Sequence, residues 1–520
     1  MQQLLSLPFG LPCLRRQEDV FPSDFVDLSQ CTDESSVGKP LDIIRLIVGE
    51  PGVGKTRTLL EHPFAAKAFA DGILDIALHP DTHAILDVQG SLSAGRGNTV
   101  EYWQMYWRIA TLRCIATHLL YSPHWNSTIT PSVEAPLTEL VKRFMNTEVP
   151  VSVTDSLTHI CRHHLTRNEF KEFYGSENLQ FATVAIDKAL EQQRPLNILL
   201  DVSDEVLDNA PTAWSECLQG MMCFVLDSKK EKTFRRVNIA ATLPARVYRA
   251  AMEQPRARNA YALRADVLRL IWRIEDAREF LHQKIGQLPS EYIVNEDRED
   301  SMTAASWLGL QSVNNHQRGI RERIENYILR HTRLTPRHII ALGNSLSVHS
   351  RKAKERGVKR IDSGTLKHAV HKSVQDFAQE MFIQCACEIV LQGYARDYQR
   401  SGMDVYEGAN EDVAGNSRLL ESTFSRLTGE DFTSESLYKL IQDEFSVSDE
   451  GARRILRLLW NKRFFGILTN LPGKGRFRTE FAEELFEQNS PMRGDTRLWL
   501  HTLVSDHIPV NVSQGIVPAP

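Results

Sequence analysis

The chain has 520 residues, too many for one compact domain, and this length predicts roughly two to four domains. With 42% hydrophobic and 24% charged residues, the composition is that of a globular protein and excludes a mostly disordered chain. The formal net charge of −5 excludes a general attraction to nucleic acid, so such a partner requires a local basic patch. No stretch approaches the ~20 apolar residues of a membrane span. The eight cysteines lack C-x-x-C spacing, so we expect a cytoplasmic protein with reduced thiols and no membrane contact.

Strand-like and helical patterns alternate along the first half of the chain. Residues 1–40 have no periodicity and predict an irregular N-terminal lead-in. Apolar runs typical of buried strands then lie at 41–48, 83–88, 196–200, 237–241 and 267–272. The helical pattern from about 99 to 192 includes an aromatic stripe at 102–107, which we expect to be packed core. This alternation predicts an α/β core over 41–290, a parallel sheet with helices on both faces.

The second half of the chain is predicted to be mainly helical. Amphipathic patterns over 300–395 predict a helical lid, and a polar break precedes a last domain at 420–490 and a tail at 491–520. Within the last domain the order is helix (434–444), helix (449–463) and hairpin (465–479), which predicts a winged helix.

A glycine-rich loop follows the first predicted strand and precedes a helix. Its G-x-x-x-x-G-K-T pattern turns backbone N–H groups toward an anion at a helix N-terminus, which predicts the P-loop of a Mg-nucleoside triphosphate site. Lys55 is expected to reach the β- and γ-phosphates, and Thr56 is expected to ligate Mg²⁺. The predicted cofactor-binding residues are Gly49, Glu50, Pro51, Gly52, Val53, Gly54, Lys55, Thr56 and Arg57.

Two other predicted strands end in polar residues that suit such a site. The run 199–205 places an aspartate after a buried strand, so Asp201 is predicted to bind on the magnesium side. Glu205, or else Asp204, is predicted to polarise the attacking water, although these acids also suit the cap of a following helix. Thr242 ends the next strand, where it either orients that water or is an ordinary strand-end threonine.

Taken together, these features resemble the AAA+/STAND P-loop ATPases. The resemblance is to the initiator-like branch, shared with origin-recognition proteins and with bacterial ATPases of defence-related or uncertain role. It implies ATP and Mg²⁺ as cofactors, a nucleotide-driven conformational or oligomeric switch, and homo-oligomers that form on ATP binding. Asp201 follows Lys55 by 146 residues, more than is usual in that family, so the helical block at about 99–192 is predicted to be an insertion or an elaborated layer. No N-K-x-D motif stands in the core, which favours adenine over guanine.

The resemblance also implies two functional arginines. A lid arginine that contacts the γ-phosphate is expected at Arg337, which follows Pro336; the alternative is a solvated arginine on a basic helix. An arginine finger is expected before the fifth strand, where Arg256, Arg258 and Arg264 all remain candidates.

The predicted winged helix is locally basic, with eight basic residues and one acidic residue between 451 and 480. This imbalance favours contact with double-stranded DNA. A winged helix can also bind a protein partner, so two functions stay open. One is a DNA-associated ATPase of antiphage defence or mobile-element biology, and the other is a signalling or scaffold switch. A second basic run, 351–360, either helps to contact DNA or forms a solvated linker face, and the second interpretation is preferred. The predicted DNA-binding residues are Arg453, Arg454, Arg457, Lys462, Lys474, Arg476 and Arg478.

Overall fold

The structure is a computed structural model in which the chain divides into two compact units. The sheet unit comprises Leu14–Ile271 and Tyr394–Asn410, and the helical unit comprises Met1–Cys13, Trp272–Gly393 and Glu411–Pro520. The described residues are 7–9, 41–78, 81–93, 98–126, 129–144, 152–163, 165–191, 193–202, 207, 210–262, 264–295, 303–315, 320–390, 405–427, 431–471, 475–479, 497–501 and 504.

The sheet unit is built on five parallel strands in the order β2-β3-β4-β1-β5. Every residue of β1 and β3 is buried, which requires cover on both faces of the sheet. The predicted α/β fold, a parallel sheet with helices on both faces, is confirmed. The strands are β1 (Leu46–Gly49), β2 (Ile73–Leu78), β3 (Leu196–Val202), β4 (Val237–Pro244) and β5 (Val267–Leu270).

The helices of the sheet unit fill the segments between these strands. They are α1 (Lys55–Leu60), α2 (Ala65–Asp71), α3 (Thr82–Ser93), α4 (Thr99–Tyr121), α5 (Pro123–Asn126), α6 (Pro131–Arg143), α7 (Val153–Arg162), α8 (Arg167–Tyr174), α9 (Glu177–Glu191), α10 (Pro211–Asp227), α11 (Ala245–Glu253) and α12 (Pro255–Tyr261).

The strand predicted at 83–88 is wrong, because this segment lies in helix α3 and the strand is β2, at Ile73–Leu78. The Asp81 side chain accepts hydrogen bonds from the backbone N–H groups of His83 and Ala84, at 3.0 and 3.4 Å, and so starts the helix. The buried residues of α3 include Ile85, Val88 and Leu92, spaced as on one face of a helix. A short apolar run does not by itself distinguish a strand from a buried helix.

The long helix α4 is the centre of the predicted insertion, and its aromatic stripe is packed core, as expected. Trp103 and Trp107 are at most 1% exposed. Their indole N–H groups donate to Gln89 Oε1 at 2.8 Å and to the carbonyl of Cys217 at 2.9 Å. A Cβ on Gly220 of α10 would lie 2.4 Å from Cβ of Trp103, so only glycine permits this close packing of α4 on α10.

A buried carboxylate joins the inserted helices to the sheet. Asp75 of β2 is 1% exposed, and its Oδ2 accepts hydrogen bonds from the backbone N–H and the hydroxyl of Thr154, at 2.6 and 2.7 Å. Thr154 lies in the first turn of α7, where a negative charge is favourable. Within the described part of the chain, Asp75 Oδ1 has no hydrogen-bond partner. Burial raises the pKa of Asp75 to about 7, against the hydrogen bonds from Thr154, which lower it.

The helical unit also carries two small sheets. Strands β6 (Ser312–Asn315) and β7 (Ile320–Arg323) form a two-stranded antiparallel sheet. A four-stranded antiparallel sheet has the order β10-β9-β11-β8, from β8 (Asp431–Thr433), β9 (Phe465–Leu471), β10 (Gly475–Thr479) and β11 (Arg497–Leu500). The helices are α13 (Ile274–Gly286), α14 (Ala304–Leu308), α15 (Ile324–Leu329), α16 (Pro336–Glu355), α17 (Ser363–Ile389), α18 (Val405–Ser425, whose first residues count with the sheet unit), α19 (Ser434–Phe445) and α20 (Asp449–Asn461).

The predicted helix–helix–hairpin order is present as α19, α20 and the β9–β10 hairpin, to which β8 and β11 add two strands that were not predicted. The winged-helix designation and the domain boundaries stay predictions. No helix among the described residues has the length and apolar character that crossing a lipid bilayer requires.

Part of the predicted N-terminal lead-in is packed into the helical unit. Phe9 is fully buried, and its backbone N–H donates to Asn344 Oδ1 at 2.9 Å. Its ring centroid lies 4.9 Å from that of Trp307. A Cβ on Gly343 would lie 2.4 Å from the Phe9 ring, so glycine is needed where this ring meets α16.

The raised pKa of Asp75 predicts a pH-dependent stability that Asp75→Asn removes. The folded-state pKa of about 7 lies above the ordinary value of 3.8. The stabilisation of the fold by protonation of Asp75 is therefore fully present below pH 3.8. This stabilisation, up to about 4 kcal/mol from the pKa difference, is lost as the pH rises through about 7. The melting temperature of Asp75→Asn, relative to the native chain, is therefore expected to rise between about pH 5 and pH 8.

The control is Asp87→Asn, at an exposed aspartate of α3. Its melting temperature is expected to follow the native one at each pH. A constant difference between Asp75→Asn and the native chain across this range would contradict the assigned pKa.

Candidate nucleotide-binding site

The loop between β1 and α1 has the backbone that a phosphate site needs. Gly52 and Gly54 have φ of 80° and 99°, in the left-handed region that favours glycine. Gly54 is the N-cap residue of α1, so Lys55 and Thr56 begin the helix. The loop also folds tightly on itself, because a Cβ on Gly49 would lie 2.5 Å from Cγ2 of Val53.

Lys55 is held along the loop that precedes it. Its side chain is buried, with 7% exposure of the residue, and its Nζ donates to the carbonyl of Glu50 at 3.2 Å. The ammonium group therefore lies over the loop, where the bound phosphates of a P-loop site are placed.

Asp201 receives a hydrogen bond on each of its carboxylate oxygens. The Thr56 hydroxyl donates to Oδ2 at 2.7 Å, and the Thr242 hydroxyl donates to Oδ1 at 2.5 Å. The three residues come from α1, β3 and β4, and β4 pairs with both β3 and β1. The structure thus joins Thr56, Asp201 and Thr242, which the sequence predicted separately, at the carboxyl edge of the sheet beside Lys55.

The chemistry of these groups fits magnesium. A threonine hydroxyl and a carboxylate supply the oxygen ligands that Mg²⁺ prefers, usually completed by waters and substrate phosphates. Across the described ranges, no group of three or more His, Cys, Asp or Glu side chains could hold a metal ion.

Arg249 is a residue at this site that the sequence did not indicate. Its Nη1 lies 2.7 Å from Oε1 of Glu50, so α11 is joined to the loop by an ion pair. The two residues are 199 positions apart, and no motif marks Arg249. Arg57, the last predicted cofactor-binding residue, pairs instead with Glu61 one turn later on α1, at 2.7 Å.

The remaining predicted catalytic residues are Asp204, Glu205 and Arg337. Asp204 and Glu205 lie outside the described residues. Arg337 belongs to the helical unit, where it is the second residue of α16 and its Nη1 lies 3.3 Å from Oε1 of Glu380. Burial would raise the pKa of Glu380, but His338, Arg337 and Arg333 together lower it to about 2. The role of Arg337 as a γ-phosphate sensor stays a prediction.

The three candidates for an arginine finger differ in their contacts. Arg264 pairs with Asp266 at 2.5 Å, and Arg258 Nε donates to the carbonyl of Met252 at 2.9 Å. The Arg256 side chain is 84% exposed and pairs with Glu101. Arg256 and Arg258 are thus exposed, whereas the Arg264 side chain is 24% exposed.

The basic residues of the last domain are less available for binding DNA than the sequence indicated. Arg453, Arg454 and Arg457 are exposed on α20. Arg453 lies 3.8 Å from Asp449, however, and Arg454 pairs with Glu450 on the same helix. Lys474 and the side chains of Arg476 and Arg478 lie outside what the structure describes.

Lys462 requires a correction. Its side chain is 1% exposed, and its Nζ lies 2.6 Å from Oε1 of the equally buried Glu388 of α17. A buried ammonium group in an ion pair cannot contact a DNA phosphate, so we remove Lys462 from the predicted DNA-binding residues.

No protein-family model matches the chain, and no curated protein does. Among solved structures, the chain is similar to the ORC2 protein of Aeropyrum pernix, solved as ADPNP–ADP complexes. The sequences are 11% identical, the similarity covers 93% of this chain and 89% of that one, and the TM-score is 0.34. A TM-score this low does not establish a shared fold. The P-loop NTPase fold is inferred from the parallel sheet, the glycine loop and the residues at the sheet edge.

The tight loop predicts that Gly49→Ala weakens nucleotide binding. The added methyl group would meet Val53 at 2.5 Å, so the loop must open. We expect the affinity for Mg-ATP to fall about tenfold or more, equivalent to about 1.4 kcal/mol. Binding of a fluorescent ATP analogue measures this change.

Gly175→Ala is the matched control, because its Cβ would lie 3.5 Å from the nearest heavy atoms and its φ is −87°. This variant is expected to bind like the native chain. Native-like binding by Gly49→Ala would show that the loop does not hold the phosphates.

Proposed function

We propose that the chain is a Mg-dependent ATPase whose nucleotide state drives a conformational or oligomeric switch. The observation that carries the proposal is the carboxylate of Asp201, which accepts hydrogen bonds from Thr56 and Thr242 beside the lysine of a glycine-rich loop. A strand-end carboxylate next to the helix that follows such a loop is the arrangement that phosphoryl-transfer sites use to hold a metal-bound nucleotide.

Each residue of the site has a proposed task. Lys55 and the N–H groups of the loop bind the β- and γ-phosphates, while Thr56 and Asp201 hold the magnesium ion. When bound, magnesium neutralises charge on the phosphates. Thr242 orients the attacking water, and Glu205, or else Asp204, accepts its proton.

The switch itself is proposed from the resemblance to AAA+/STAND ATPases. Arg337 and an arginine of a neighbouring copy, among Arg256, Arg258 and Arg264, would report the γ-phosphate, so that assembly into homo-oligomers depends on ATP. Exposure favours Arg256 and Arg258 over Arg264. A setting in antiphage defence or mobile-element biology rests on the resemblance alone.

We propose duplex DNA as the partner of this ATPase. A second candidate is a signalling or scaffold switch whose last domain binds a protein, and one observation favours it. Arg453 and Arg454 are paired with acids of their own helix, and Lys462 is buried, so α20 offers less positive charge than its sequence indicates.

Steady-state ATP hydrolysis, with and without double-stranded DNA, tests both candidates. Lys55→Ala and Glu205→Gln are expected to lose turnover by about 100-fold or more, because they remove phosphate binding and water activation. Chelation of magnesium is expected to abolish the native activity. The control is Lys67→Ala, at an exposed lysine of α2, which should hydrolyse ATP like the native chain.

Stimulation of the native turnover by DNA would support the DNA-associated ATPase. Turnover that depends on Lys55 and Glu205 but is indifferent to DNA would favour the protein-binding switch. If the native chain binds ATP tightly and does not hydrolyse it, the proposed catalytic roles are wrong.

A further inference from the structure

Residues 351–372 of the helical unit, which we call the basic tip, carry an excess of positive charge. This segment holds eight Lys and Arg residues, two His residues and only two acids, in a chain whose formal net charge is −5. It covers the last turn of α16, the connecting loop and the first turns of α17. The basic residues are Arg351, Lys352, Lys354, Arg356, Lys359, Arg360, Lys367 and Lys372.

The fold brings these residues together at one end of a helical hairpin. α16 ends at Glu355, and α17 begins at Ser363 after a short loop. The loop is fixed, because the N–H of Ile361 donates to the carbonyl of Leu308 at 2.9 Å. A Cβ on Gly309, which has φ of 69°, would lie 2.2 Å from the carbonyl oxygen of Lys359, so the loop packs closely on the end of α14. The charges of the tip are therefore held on a rigid support.

The charge faces solvent. Lys352, Arg356, Arg360 and Lys372 are exposed. Both acids of the segment serve local structure: Glu355 pairs with Arg351 at 3.1 Å, and Asp362 caps α17 by accepting from the N–H groups of Gly364 and Thr365.

The side chains of the tip, and not the helix dipoles, supply this positive charge. The tip joins the C-terminus of α16, where the macrodipole is negative, to the N-terminus of α17, where it is positive, so the two dipoles oppose each other. Positive groups from both helices also meet there. Burial lowers the pKa of His349 on α16, and the nearby Lys352 and His368 lower it further.

The composition of the tip fits a phosphate backbone better than other anionic partners. Residues 351–372 contain no Phe, Tyr or Trp. Single-stranded nucleic acid is held largely by stacking on aromatic side chains, and protein interfaces depend on buried aromatic or apolar anchors. Val358, 45% exposed, is the one large apolar side chain of the tip that is prominently exposed among the described residues. Duplex phosphates need only exposed cations on a fixed support.

We propose that the basic tip binds the sugar–phosphate backbone of duplex nucleic acid, without reading its sequence. The proposal rests on the DNA-associated form of the proposed function and assigns it a contact surface outside the last domain. It also gives the proposed duplex partner a binding surface, since two of the arginines of α20 pair with acidic residues of the same helix.

The test is the binding of the full chain to a labelled duplex of about 20 base pairs, measured by anisotropy between about 50 and 200 mM salt. The variant is Lys352→Glu, Arg356→Glu, Lys372→Glu. The matched control is Lys67→Glu, Lys142→Glu, Lys188→Glu, at exposed lysines of the sheet unit. Both triple variants change the net charge from −5 to −11, so they separate a local surface from overall charge.

We expect the tip variant to bind about tenfold more weakly or worse, with a salt slope shallower by about three, one for each lost phosphate contact. The control is expected to keep the native salt slope. The corresponding Gln triple variant removes charge without adding repulsion and is expected to shift the slope the same way, which guards against misfolding of the Glu variant.

Equal losses in the tip variant and the control would overturn the proposal. So would competition by polyglutamate as effective as that by unlabelled duplex, because the tip would then bind acidic protein. If the native chain does not bind the duplex, both the proposed role of the basic tip and the DNA-associated function are wrong. Because the assay needs no hydrolysis, an inactive ATPase with a normal binding pattern would leave the tip in place.

Discussion

The carboxylate of Asp201 is the point on which the arrangement of the site depends. A buried carboxylate requires hydrogen-bond donors, and Asp201, only 7% exposed, receives one from α1 and one from β4. The two hydroxyl groups fix where the helix begins and where the strand ends relative to β3. Threonine hydroxyls are also neutral, so they orient the carboxylate without cancelling the negative charge that a magnesium ion needs.

The strand order places this carboxylate where a ligand can reach it. β1 lies between β4 and β5 in the sheet. After β1 the chain crosses to β2 at one edge and returns through β3 to β4. It then crosses over β1 to reach β5 at the other edge. Crevices form at the carboxyl ends of strands where the connections change direction. The acid on the neighbouring β2, Asp75, has the opposite role: burial and, to a smaller extent, the charge of Asp201 raise its pKa, and it anchors α7. Of two aspartates on adjacent strands, one faces the site and one holds the insertion.

The sequence predicted what local patterns encode and missed what depends on distant partners. The glycine loop, Asp201 and Thr242 each follow a recognisable strand, so their meeting at one sheet edge could be predicted. The edge strand β2 was missed and α3 was mistaken for it, because both segments are short apolar runs with one aspartate, and such runs do not distinguish a strand from a buried helix. Arg249 beside Glu50, and the burial of Lys462 against Glu388, join residues far apart in sequence, and neither pair carries a motif. A count of basic residues likewise does not reveal which of them face solvent.

Within the helical unit, α17 connects the features that matter for a switch. It has 27 residues and so spans about 40 Å. Its N-terminal turns belong to the basic tip, Glu380 farther along contacts Arg337, and Glu388 near its end is paired with Lys462. A buried ion pair is costly to break, so it fixes α20 to α17 in one register. The proposed duplex site, the contact with Arg337 and the ion pair that anchors the last domain therefore all lie on one helix. If Arg337 senses the γ-phosphate, nucleotide and duplex act on the same element, which is the physical requirement for coupling between two sites.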